Sequence, residues 1–175
     1  IDLASIPKDR FWLYRSQWRK DSPTLHLVPH WTWPGHEGEN IPVVAYSSFD
    51  KAELFVNGVS QGIAVKAAPS GVSADPTHPA PIAPDTELMR RFRLIWPDVI
   101  YQSGELKVVA YGSDGKPAAE QVVRTAGKPY ALKLTPYTGP ESVDGSTFPA
   151  SDAPQTMVLK ADGEQLCYLN VSVVD

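Results

Sequence analysis

The stretch Ala52-Glu53-Leu54-Phe55-Val56-Asn57-Gly58, running on from Val59 to Val65, decides the fold class. Ala52, Leu54 and Val56 alternate with Glu53 and Phe55, which is the period-two pattern of a strand with one face turned inward. Asn57-Gly58 then offers two residues that tolerate φ > 0, as a type I′ turn requires. The return run, Val59 to Val65, must therefore lie antiparallel beside the first.

Similar punctuation extends in both directions. Upstream, Leu25 to Val28 and Ile41 to Tyr46 are short apolar runs. Downstream, Leu88 to Trp96 reads as a strand ended by Pro97. Leu106, Val108 and Ala110 then alternate with Lys107, Val109 and Tyr111. Asp114-Gly115 is a second hairpin turn, leading to Ala118–Thr125. Seven short strands separated by turns predict an antiparallel, immunoglobulin-like β-sandwich over residues 23–128, since that architecture takes about 100 residues. A single cysteine, Cys167, excludes the Cys…Trp…Cys pattern of antibody domains and any internal disulfide. It falls in an alternating run and reads as a buried thiol.

Seventeen prolines and twelve glycines leave room for one long helix only, from Pro7 to Lys20. Pro7 suits a first helical turn. Phe11, Tyr14 and Trp18 form an apolar stripe, with Trp12 off it. So aromatic a helix needs a large surface to pack on, and only six residues precede it. Residues 1–22 are thus expected to end another domain. Residues 66–86, with prolines at 69, 76, 79, 81 and 84, form a long loop without periodicity. Gly127-Lys128-Pro129 reads as a boundary. Beyond it, residues 129–175 hold Leu132, Leu134 and a third hairpin around Asp162-Gly163, the beginning of a second β module. Two or three strands cannot close a core, so this unit is expected to be truncated.

A net charge of −4 and a pI of about 5.5 exclude the basic face that nucleic-acid binding requires. The one basic cluster, Arg90, Arg91 and Arg93, reads as the solvated side of a strand. No apolar run approaches the roughly 20 residues of a membrane span.

The ordered series of segments resembles the C-terminal part of glycoside hydrolase family 2, the β-galactosidase-like enzymes. Asp2-Leu-Ala-Ser-Ile-Pro-Lys-Asp-Arg-Phe-Trp-Leu-Tyr-Arg-Ser-Gln-Trp18 resembles the last helix of their catalytic barrel. His26-Leu-Val-Pro-His-Trp-Thr-Trp33, with Gly35 and Gly38, is similar to the loop and first strand that follow. Ala52–Gly58 resembles the hairpin of their accessory sandwiches, and Val123–Pro129 the closing strand and linker. Leu159–Gly163 with Val171–Asp175 resembles the opening hairpin of the next module. The resemblance implies a parent enzyme that cleaves β-galactosides with retention. Its two carboxylates, about 5–5.5 Å apart, would sit on barrel strands before Ile1. No catalytic residue, metal ligand or cofactor is therefore assigned here. The implied partners are the catalytic barrel and, through it, a carbohydrate. A bacterial periplasmic or extracellular location is expected, and a second copy is one way to cover the exposed apolar faces.

The carbohydrate-contact candidates are His30, Trp31 and Trp33. The two tryptophans, two apart in a Pro- and Gly-bounded segment, would point the same way on a strand. Their faces suit the C–H side of a sugar ring, and the competing reading is that both are packing residues. His26, His30 and His36 lack a tight ligand set for a metal. Asp50 with Glu53, and Glu37 with Glu39, read as solvated carboxylates. No Gly-x-Ser-x-Gly elbow is present. Two functions follow for comparison: an accessory module of a glycosidase, or an autonomous carbohydrate-binding module using Trp31 and Trp33.

Overall fold

The computed structural model describes residues 7–67, 87–136 and 169–175. Asp2–Ile6, most of the Pro-rich loop 66–86, Cys167 and the Asp162-Gly163 turn lie outside the described residues. The observed order is α1 (Asp9–Trp18), β1 (Leu25–Val28), β2 (Val43–Ser47), β3 (Lys51–Val56), β4 (Val59–Val65), α2 (Glu87–Phe92), β5 (Leu94–Trp96), β6 (Glu105–Tyr111), β7 (Pro117–Arg124), β8 (Ala131–Pro136) and β9 (Leu169–Val174).

The chain is mainly β. Strands β1 to β7 form an antiparallel sandwich of two sheets, ordered β1-β2-β5 and β4-β3-β6-β7. The Asn57-Gly58 turn explains the division into three and four strands. A constant-type immunoglobulin domain places its fourth strand in the same sheet as its first, second and fifth. Here the two-residue turn keeps β4 hydrogen-bonded to β3, from Val56↔Val59 to Lys51↔Val65. Asn57 adopts φ 49° and Gly58 φ 81°, the left-handed geometry that such a turn requires.

The inner faces follow the alternation. Val43, Ala45, Ala52, Leu54, Val56, Leu106, Val108 and Ala110 are buried, joined by Leu27, Leu94, Trp96 and Val99 in one core. Both open sides of the sandwich are fastened. On one, the Leu27 backbone N–H donates to the Gln121 Oε1, joining β1 to β7. On the other, the Trp96 indole N–H donates to the Gly62 carbonyl at 2.9 Å, joining β5 to β4. Gly62 lies where the β3–β4 register shifts between Glu53 and Phe55. A bulge there turns an edge carbonyl toward Trp96 instead of a neighbouring chain.

Two local expectations are corrected. Leu88–Trp96 is not one strand: Glu87–Phe92 is helical, and only Leu94–Trp96 pairs with β2. Glu, Leu, Met and Arg are strong helix formers, while the one β-branched residue, Ile95, falls inside β5. Arg90 and Arg91 thus occupy the last turn of α2, where cations complement the helix dipole, and Arg93 sits over the Tyr46 ring at 5.7 Å. None of the three is on a solvated strand face.

The second correction concerns α1. The helix starts at Asp9 with Lys8 as its N-cap, so Pro7 precedes the first turn, and it packs on the β1-β2-β5 sheet through Trp12 and Arg15, not through Tyr14 and Trp18 of the predicted stripe. Trp12 stacks on His26 at 5.0 Å and 16°, and His26 stacks in turn toward its cross-strand partner Tyr46 at 6.3 Å and 16°. Arg15 is buried and donates to the Thr24 hydroxyl at 2.8 Å and the Ser22 hydroxyl at 3.1 Å. Tyr14 and Trp18, tilted against each other at 4.9 Å and 32°, stay 52% and 75% exposed.

Strands β8 and β9 pair with each other from Ala131↔Val174 to Pro136↔Leu169. Leu132, Leu134, Val171 and Val173 on this ribbon are exposed. The ribbon is tied to the sandwich linker where the Gly127 N–H donates to the Asp175 carboxylate.

Leu54 is fully buried between the sheets. Leu54→Ala is expected to cost about 2–5 kcal/mol of folding free energy in urea titrations, against about 0.5 kcal/mol or less for the exposed Leu132→Ala. His26 yields a pH-dependent expectation. Burial holds its imidazole below the ordinary value of 6.5, against the opposing pull of Asp9 at 3.2 Å. The unfolded chain then binds the proton more readily than the folded one. Stability is therefore full above 6.5 and falls as pH drops through the depressed folded value. His26→Gln should flatten this part of the stability–pH profile; an unchanged slope would refute the assignment.

Candidate functional site

The loops after β1, β3 and β7 and before β6 meet at one end of the sandwich. Their organising residue is Tyr101, which is fully buried. Its backbone N–H donates to the Glu39 carbonyl at 2.8 Å, and its carbonyl accepts from the Gly38 N–H at 2.9 Å. Its hydroxyl accepts the Trp33 N–H at 3.2 Å and lies 3.5 Å from the Ser103 hydroxyl. One residue thus holds both halves of the 29–41 loop, the first through its hydroxyl and the second through its backbone.

Trp31 and Trp33 diverge. Trp31 is fully buried, edge-on to Tyr101 at 5.0 Å and 71°. Its indole N–H donates to the Gln102 carbonyl at 3.0 Å, and its own carbonyl accepts from the Thr125 hydroxyl at 2.6 Å. No face of Trp31 is left for a sugar, and among the three candidates it is the packing residue. The segment is a looped turn and not a strand, so residues two apart do not share a side.

Trp33 is partly exposed at the rim of the core. The exposed His30 ring stacks on it at 4.5 Å and 18°, and the Trp33 indole N–H donates to the His30 carbonyl at 2.9 Å. His36 meets Trp33 edge-on at 6.3 Å and 86°. His36 Nδ1 lies 2.9 Å from Glu39 Oε2. His26, by contrast, lies beneath α1, so the three histidines are not brought together.

The rim is acidic. Glu37 accepts from the Ser103 hydroxyl at 3.1 Å and from the Gly35 N–H at 3.1 Å. Its own backbone N–H, then Ser103 and Gly35, hold its carboxyl below the usual range, so it is ionised at neutral pH. Asn40 donates to Asp98 at 3.4 Å. The Asn57-Gly58 turn is part of this end: Asn57 donates to the Ser103 carbonyl at 3.0 Å and accepts the Glu105 N–H at 2.7 Å. Gly104, at φ 130°, packs against Asn57 where a Cβ would collide with the amide. Glu53, on the outer face of the four-stranded sheet, accepts from Tyr111 and Ser60. Asp50 stands 3.8 Å from Lys66. These two carboxylates are engaged separately, as are Glu37 and Glu39. Sequence reading missed Tyr101, because its role comes from partners about 60 residues upstream and no local pattern marks it.

Residues 38–119 match the family described as a domain of unknown function, DUF4982. Over its whole length the chain is 36% identical to a β-galactosidase of Bacteroides ovatus and covers 16% of it. It superposes with a TM-score of 0.63 and 30% identity on a β-glycosidase from Bacteroides vulgatus, covering all of this chain and 17% of that one. A β-glucuronidase of glycoside hydrolase family 2 shares the fold, with a TM-score of 0.62 at 24% identity, over 97% of this chain and 14% of its own. These likenesses support a segment from the C-terminal region of a family 2 glycoside hydrolase. It spans about one sixth of the relatives it matches.

The burial difference makes a direct test. Trp31→Ala is expected to destabilise the chain by about 3–5 kcal/mol, whereas Trp33→Ala should cost well under half of that. Equal losses in denaturant titrations would contradict the division between core and rim.

Proposed function

We propose that this segment is a non-catalytic accessory module that braces the catalytic barrel of its parent glycosidase. The observation that carries the reading is the two-sided helix α1. One side is locked to the sandwich through Trp12, His26 and Arg15. The other presents the adjoining rings of Tyr14 and Trp18, the latter 75% exposed. A rigidly seated helix with an open aromatic face suits a second apolar surface. Relatives about six times longer have the chain length to supply one. The catalytic barrel is the occupant we assign.

The parent reaction is read as hydrolysis of a β-galactoside or a related glycoside with retention, by two carboxylates outside this segment. The likeness to the B. ovatus β-galactosidase supports galactosides as the first substrates to try. In that assembly His30 and Trp33 form a sugar-facing wall. The outer ring face of this stacked pair is apolar and edged by hydrogen-bonding groups, as a sugar C–H face requires. The rival reading, an autonomous carbohydrate-binding module, keeps only these two of its aromatic contacts, because Trp31 is buried.

The isolated 175-residue chain should show no turnover of an aryl β-galactoside. In the full-length enzyme, Tyr14→Ser with Trp18→Ser should lower the melting temperature by several degrees. The same pair in the isolated chain should change its stability by about 0.5 kcal/mol or less, since exposed sites cost little. Turnover by the chain alone, or an unaltered full-length enzyme, would overturn the bracing role. Millimolar or tighter glycan binding by the isolated chain, abolished by Trp33→Ala, would favour the autonomous module.

A further inference from the structure

We propose that Asn57-Gly58 is a latent deamidation site, held shut by the 103–105 segment and opened by local release of the β3–β4 turn. Asn-Gly is the dipeptide in which this reaction meets least hindrance, because glycine has no Cβ to shield its backbone nitrogen. Asparagine is itself among the thermolabile residues. The Gly58 nitrogen gives up its proton and attacks Asn57 Cγ. The new N–C bond closes a succinimide ring as the Cγ–Nδ2 bond breaks and ammonia leaves. Water then opens the ring at either carbonyl, leaving aspartate or isoaspartate. Asn57 and Gly58 are both exposed, so water reaches the ring once it forms.

Both polar atoms of the Asn57 carboxamide are bonded to another segment of the chain. Nδ2 donates to the Ser103 carbonyl at 3.0 Å, and Oδ1 accepts the Glu105 N–H at 2.7 Å. The Asn57 backbone N–H donates to the Glu105 carbonyl at 2.8 Å. Gly104, between these partners, has φ 130° and lies so close that a Cβ on it would collide with Oδ1. Attack needs Cγ turned toward the Gly58 nitrogen, so the carboxamide must first leave Ser103 and Glu105. Two hydrogen bonds of ordinary net strength slow that release by about ten-fold. Conversion then prevents the latch from closing again. An aspartate cannot donate to the Ser103 carbonyl, and it sets a second carboxylate beside the residue that binds Glu37. Isoaspartate adds a methylene to the main chain of a two-residue turn. Either product loosens the 103–105 segment and, through Ser103, the loop that carries Glu37.

The test follows the tryptic peptide Ala52–Lys66, in which Asn57 is the one asparagine, by its mass gain and by separation of its isoaspartate form. The full-length protein is incubated in mildly alkaline buffer, folded and in strong urea. The folded protein should convert more slowly by about ten-fold. Its rate in low urea should rise with the shallow slope of a local opening, not with the slope of global unfolding. Gly104→Ala, which displaces the carboxamide, should bring the folded rate toward the unfolded one, and the core variant Leu54→Ala should raise it less. Asn57→Asp should speed hydrogen exchange in residues 29–42 and 97–105 of the folded protein. Equal rates in folded and unfolded protein would overturn the protection. A rate that tracks global unfolding, or Gly104→Ala no faster than Leu54→Ala, would overturn the local latch. Unchanged exchange in Asn57→Asp would overturn the coupling to the Glu37 loop. If Gly104→Ala does not fold, the urea slope of the unsubstituted protein decides.

Discussion

Tyr101 carries the constraint on which this end of the molecule depends. It is a large polar side chain with no exposure, so burying it is tolerable only if its hydroxyl and backbone are hydrogen-bonded. The partners that satisfy it are Trp33, Glu39 and Gly38, which all belong to the loop between β1 and β2. The requirement that buries one tyrosine thus gives a fixed shape to a loop with no regular structure of its own. Trp31 contributes by filling the space beside the Tyr101 ring, and it leaves Trp33 at the rim.

A second fixed point of the molecule is the seat of α1. Its contact with the sheet is mixed: a stack of Trp12, His26 and Tyr46, and a buried guanidinium bound to two hydroxyls. Such a contact is directional. It fixes the rotation of the helix about its own axis more tightly than a greasy stripe could, because hydrogen bonds and ring stacks tolerate little displacement. That rotation is what turns Tyr14 and Trp18 away from the sandwich. The bracing role proposed for this segment rests on that one geometric feature of a ten-residue helix.

The acidic rim and the aromatic stack also share a scaffold. Ser103 binds Glu37 with its hydroxyl and Asn57 with its carbonyl, while Asn57 belongs to the β3–β4 turn. The hairpin that sets the sheet division therefore also supports the surface proposed to meet the glycan. A rigid framework beneath a loop is the usual condition for precise ligand contacts.

The sequence by itself determined the seven sandwich strands in order, the β3–β4 hairpin and the resemblance to family 2 glycosidases. These rest on period-two burial, on turn chemistry at Asn57-Gly58, and on short motifs, all of which act within a few residues. It failed where local preference and tertiary pairing compete. Residues 87–92 became helical because their side chains favour it and only Leu94–Trp96 lie against β2. Tertiary structure alone decided which side of α1 packs, because aromatic residues lie both on the Phe11–Tyr14–Trp18 stripe and, at Trp12, beside it, and the choice fell to the partners of Trp12 and Arg15, His26 on β1 and Thr24 just before it. It alone decided that Trp31 is core and Trp33 is rim, because that depends on where Tyr101, some 70 residues away, places its ring and its hydroxyl.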